Sequence, residues 1–192
     1  MICHICIVKQ RITYKNEVIM ATKNWNDDFM SQLIEEQAWK ELSQDFQWSE
    51  QLLEKYADKV DWHEVSGNNQ MLWTASMLEK FKKRIDWREL SGTCLQCLLN
   101  AEMLARFEPY WDWHELSDNS SLELNLELLD KFIERWDWRE IIGRWDDGLF
   151  DEEFLERYKE YIPASELQHS RLWNKIVEKR KTQLANQIAA AV

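Results

Sequence analysis

Four times the chain writes an Asp-Trp pair followed by a nearly identical stretch: DWHEVSGN from 61, DWRELSGT from 86, DWHELSDN from 112 and DWREIIGR from 137. The Asp residues stand 25, 26 and 25 positions apart, and Ala38-Trp39 fills the same slot 23 residues before Asp61. A regular period this short restricts the fold severely. A unit of about 25 residues cannot bury a core alone, so neighbouring units must stack.

Each period predicts two helix starts. Asn26, Ser49, Thr74, Asn100, Asn125 and Asp151 are all residue types whose side-chain oxygen accepts from the unpaired N–H groups of a first helical turn. A large apolar residue precedes each, and Met30, Leu53, Leu78, Leu104, Leu129 and Leu155 follow four positions later, the spacing of a hydrophobic staple. Further apolar residues three and seven positions after each cap complete one helical stripe. This A helix is expected to run ten to eleven residues.

The Asp-Trp slot starts a shorter B helix of five to seven residues. Asp61/Glu64, Asp86/Glu89, Asp112/Glu115 and Asp137/Glu140 have the form of capping boxes. Gly67, Gly92 and Gly143 follow where a left-handed C-cap is expected. Ten of the twelve Trp fall in repeat columns, so packing between units is their plain role and a ligand cage the sharper alternative.

The domain reading is an N-terminal extension over 1–20, untranslated or disordered, then a helical repeat array over 21–169, then a capping helix and frayed tail over 170–192. Met20 is an alternative start. In the capping helix Trp173, Ile176 and Val177 are expected to form the apolar stripe. The fold class is all-α: a solenoid of short two-helix repeats, of either hand.

The pattern of Trp, an apolar position, Ser-x-Asn and then Asp-Trp again resembles Trp-rich helical repeat proteins of giant viruses and Bacteroidetes-type bacteria. The resemblance covers roughly 25–167. It implies a repeat architecture and no particular activity. Where the viral versions carry a Pro in the loop, SGNNQMLWT and SDNSSLELN stand here without one.

Composition narrows the function. A net charge of −11 disfavours nucleic acid and anionic membranes, whose affinity comes from neutralising Lys and Arg contacts. HEVSG and HELSD lack the second His of a zinc helix, and Arg occupies the His slot in sister copies. Lys40, His63, Arg88, His114 and Arg139 therefore read as a surface column of cationic or titratable groups, the candidate ligand-binding row. Lateral salt bridging is its plainer reading. Lys55, Lys80, Arg106, Lys131 and Arg157 form a second basic row in the A helices, beside Glu54, Glu79, Asp130 and Glu156.

No catalytic residue, cofactor or metal is expected. Cys94 and Cys97 are the metal candidates, but 87 residues separate them from the other C-x-x-C pair, Cys3 and Cys6. The resulting expectation is a cytoplasmic, monomeric, non-enzymatic scaffold that binds a protein or peptide. An immunity or inhibitor protein for a basic partner is its concrete form, and a helical-repeat nucleic-acid reader is the alternative.

Overall fold

A computed structural model describes residues 27–94, 99–145 and 148–191. Among the described residues there are twelve α-helices and no strand. The first, α1, is Asp27–Asp45. The A series is α2 (Glu50–Lys55), α4 (Ala75–Phe81), α6 (Ala101–Arg106), α8 (Leu126–Lys131) and α10 (Glu152–Tyr158). The B series is α3 (Trp62–Gly67), α5 (Trp87–Thr93), α7 (Trp113–Asp118), α9 (Trp138–Gly143) and α11 (Ala164–Leu167). The last, α12, is Arg171–Ala190. Helices pack in sequence order: α1 on α3, α3 on α5, α5 on α7, α7 on α9, and α9 on α12. This order is compatible with a helical repeat. No helix is long and apolar enough to cross a membrane among the described residues.

The helix starts are those the capping residues predict. Ser49, Thr74, Asn100, Asn125 and Asp151 each accept from a backbone N–H of the first turn that follows. Asp61, Asp86 and Asp112 each accept from two N–H groups, and Asp137 from that of Arg139. Asn26 lies outside the described residues.

The B helices α3, α5, α7 and α9 have the expected length, but the A-helix ends are not where the sequence predicts them. The A helices span six or seven residues instead of ten or eleven. α2, α4, α6 and α8 then turn so that the Trp of the following B helix swings back onto the C-terminal end. The turn frees backbone carbonyls, and the indole N–H takes one. Trp62 donates to Ala57 O at 2.8 Å, Trp87 to Lys82 O at 2.9 Å, Trp113 to Glu108 O at 3.3 Å and Trp138 to Ile133 O at 3.0 Å.

The glycine expectation also fails. Gly67, Gly92 and Gly143 lie inside the last turn of their helices, and none has left-handed backbone. A Cβ on Gly67 would stand 3.4 Å from Glu89 Oε2, and one on Gly92 3.5 Å from Glu115 Oε2. At these two positions a Cβ would make ordinary van der Waals contact with the next copy's glutamate.

In the first copy the A and B helices merge into α1. Ala38 stands where the other copies have a capping Asp, and Glu35, Glu36 and Gln37 before it are good helix formers, so nothing stops the helix. At the other end α12 continues to Ala190, so most of the expected frayed tail is helical. Its buried anchor is Leu172; Ile176 is half-buried and Val177 exposed.

The core runs through the packing series without a break. Leu53, Leu78, Leu104 and Leu129 of the A helices and Val65, Leu90, Leu116 and Ile141 of the B helices are fully buried. Each Trp of the Asp-Trp slot lies against the aromatic ring of the next A helix. Ring centroids are 5.4 Å apart for Trp39/Tyr56, 5.1 Å for Trp62/Phe81, 5.7 Å for Trp87/Phe107, 5.1 Å for Trp113/Phe132 and 4.8 Å for Trp138/Tyr158. The Trp column therefore joins each copy to its successor.

Candidate functional site

The candidate row sits at the second helical position of α3, α5, α7 and α9, and on α1 for Lys40. Every member meets a carboxylate of the following copy. Lys40 Nζ lies 3.2 Å from Glu64, Arg88 Nε 2.9 Å from Glu115 and Arg139 Nη2 3.0 Å from Glu166. The two histidines do something different. His63 Nδ1 lies 3.0 Å from Asp86 Oδ2, and His114 Nδ1 2.8 Å from Asp137 Oδ2.

Side-chain length explains the split. Lys and Arg reach across to the Glu of the next B helix. Imidazole reaches only the nearer capping Asp. That Asp uses its other oxygen for the helix N-terminus, so one carboxylate closes a helix and ties two copies together. The glutamates therefore act between copies, and the second half of the expected capping box is not formed.

The A-helix row pairs in the opposite direction. Lys80 meets Glu54 of the preceding copy at 2.8 Å, Arg106 meets Glu79 at 3.6 Å, and Arg157 pairs with Asp130. Tyr158, fully buried, donates its hydroxyl to Asp130 at 2.8 Å. Burial, with help from that carboxylate, pushes the Tyr158 phenol up to about 12.

The imidazoles of His63 and His114 hold their protons above the ordinary value of 6.5, chiefly because each donates to its Asp. Asp86 is held below the usual carboxylate range by His63 first, and by the backbone N–H groups that it caps. Burial is the largest influence on Asp137 and pushes it up. The bonds from His114, Arg139 and Glu140 together outweigh it, and its value falls.

Beneath the charged rows lies a buried polar ladder that the sequence reading did not single out. Ser43, Ser66, Ser91 and Ser117 are completely or almost completely buried. Each hydroxyl donates to the Trp carbonyl four residues earlier, at 2.6–2.7 Å. Each also accepts the backbone N–H of the next copy's capping Asp: Asp61, Asp86, Asp112 and Asp137, at 2.9–3.0 Å.

The serine carbonyls are taken as well. Asn68 donates to Ser43 O, Thr93 to Ser66 O, Asn119 to Ser91 O and Arg144 to Ser117 O, at 2.8–3.3 Å. The signal was the Ser-x-Asn that closes the copies at 61 and 112; in the copies at 86 and 137, Thr93 and Arg144 make the corresponding bond to the preceding copy.

Among the described residues, His114, Asp137 and Glu140 bring metal-ligating atoms within 4.8 Å of one another. Asp137 has already committed one oxygen to its helix and the other to His114. The Cys94 thiol is buried beside Ser91 O and the Asn119 amide. Cys97, Cys3 and Cys6 lie outside the described residues.

Compared with protein-family models, curated proteins and solved structures, the chain matches none of them.

Proposed function

We propose that the chain is a protein-interaction scaffold, a solenoid of two-helix units repeating about every 25 residues, that binds a basic, partly apolar segment of another protein without catalysis. The observation that carries this reading is the open face of α1. Phe29, Leu33 and Ile34 are 50%, 40% and 52% exposed; Leu42 and Phe46, also exposed, lie on the other side of the helix and just past its end. Single exposed apolar residues mean little, but a group on one helix marks a contact surface.

Glu35, Glu36 and Glu41 stand among them. A cleft of about 620 Å³ opens beside them, its four carboxylates, Glu35, Glu36, Asp58 and Asp61, outnumbering Lys40 and Lys59. An amphipathic helix bearing Lys or Arg would cover the apolar residues and meet the carboxylates. This suits an acidic inhibitor or immunity protein acting in the cytoplasm, and an architecture like that of the Trp-rich viral and bacterial repeats.

A non-enzymatic role is supported by how the polar side chains are used. The Asp, Glu, Ser and His residues of the motif are engaged in helix caps and in bonds between copies. The row Lys40, His63, Arg88, His114 and Arg139 is a second surface. An acidic partner would have to displace Glu64, Glu115 and Glu166, and the nucleic-acid alternative meets the same obstacle together with a net charge of −11.

The test is fluorescence anisotropy with a labelled basic amphipathic helical peptide. Saturable binding is expected, lost in Leu33→Asp/Ile34→Asp and kept in Arg88→Gln/Arg139→Gln. Loss in the Arg variant alone would move the site to the row. No binding by the wild type overturns the reading.

A further inference from the structure

The two end helices are unlike the rest. Those between them have four to seven residues, whereas α1 has 19 and α12 has 20. Residues 31–38 of α1 are all exposed, and so is every residue of α12 from Val177 to Ala190. Helices in water draw most of their stability from a packed face, and stretches of this length are marginal without one. Both stretches expose apolar side chains. On α12 these are Val177, Leu184 and Ile188, 44%, 45% and 69% exposed.

Their charges are opposite. α1 carries six carboxylates against Lys40, a net of −5. α12 carries Arg171, Lys175, Lys179, Arg180 and Lys181 against Glu178, a net of +4, in a chain whose total is −11. On each helix the charges adjoin the apolar residues: Glu35 and Glu36 follow Leu33 and Ile34, and Lys179, Arg180 and Lys181 lie between Val177 and Leu184. α1 and α12 stand at opposite ends of the packing order, so one copy offers the acidic face at its start and the basic one at its finish.

We propose that the α1 face receives α12 of a second copy, so that chains associate head to tail. This rests on the reading of α1 as the partner-binding face and names the partner. The interface is heterologous. Each copy keeps one unused end, and association continues as an open series unless the rotation closes a ring. The ion pairs Lys59–Glu35 and Lys181–Glu178 lie within one copy and exchange partners on docking. The monomer expected from the sequence is then the dilute form.

Sedimentation velocity of the full chain over a range of concentration tests this. The average sedimentation coefficient rises with concentration at about 0.05 M salt, and the rise is much reduced at about 0.5 M, where the screening length is roughly threefold shorter. Two exposed charge-reversal variants follow, with circular dichroism as the check on folding: E35K/E36K on α1 and K179E/R180E/K181E on α12. Each alone associates at least tenfold more weakly than the wild type, and a mixture of the two regains association.

Undiminished association in E35K/E36K would point to α12 pairing with α12, and overturns the proposal. So does a wild type that stays monomeric throughout, or one that associates only when residues 1–19 are removed, which would make those residues the occupant of α1. If the monomeric chain still binds the basic peptide at α1, the scaffold reading stands and only the second-copy assignment falls. If it binds neither, both fall.

Discussion

One oxygen of Ser91 makes two hydrogen bonds, to the Trp87 carbonyl and from the Asp112 N–H. Alanine there removes the acceptor and leaves a partly buried N–H with no partner. An unmet group of this kind costs about 1–3 kcal/mol. Ser91→Ala is therefore expected to lower unfolding free energy by that amount in urea titration, with the slope unchanged. A change below about 0.5 kcal/mol would show that water reaches the Asp112 N–H.

The histidines predict a pH dependence. His63 and His114 bind protons more tightly folded than unfolded. Their contribution is full below the ordinary imidazole value of 6.5 and is lost as pH rises through the raised folded value. Asp86 and Asp137 run the other way: their contribution is present above the unfolded carboxylate value and is lost as pH falls through the lowered one. The pairs are best formed between these limits. Both imidazoles are exposed, so the effect is small. On raising the pH from 6 to 9, the wild type should lose about 1–3 °C of melting temperature more than His63→Gln/His114→Gln, by calorimetry.

At the scale of the element, α11 shows how the ladder stops. Ile142 stands in the serine column and has no hydroxyl to accept with. One copy later Pro163 stands in the Asp column and has no N–H to offer, and α11 begins without a side-chain cap. Acceptor and donor are lost together, so neither is left unmet in the interior. Restoring both with Ile142→Ser and Pro163→Asp should give a favourable coupling of about 1 kcal/mol in a double-mutant cycle. Strict additivity would mean that the restored N–H does not reach the new hydroxyl.

Helix starts were readable because a capping oxygen acts on N–H groups two or three residues away. The A-helix ends were not, because they are set by contacts from further along. The Trp62 indole that closes the turn after α2 is brought back by the packing of α3.

For the molecule as a whole, carrying both signs in every copy lets neighbouring copies form lateral ion pairs. The B-helix cations point to the following copy and the A-helix cations to the preceding one. Such exposed pairs add little stability individually. The joints are held chiefly by buried leucine, the Trp–aromatic contacts and the serine ladder. The charged rows set register, since a slip of one residue would place like charges together.

Legible in the residues alone were the recurring motif, the helix class, the capping residues and the Trp contacts between copies. All of these follow from chemistry acting within a few residues, or from a column repeated often enough to be seen. The partners of Lys40, His63, Arg88, His114 and Arg139, the bonds of the serines, the merging of α1 and the bare faces of α1 and α12 were decided by tertiary structure. Each depends on which side chain a neighbouring copy delivers to the same place, or on no described residue packing there. A periodic pattern looks the same at its ends as in its middle until the stack is built. Only then, among the described residues, do two helices remain with one side unpacked.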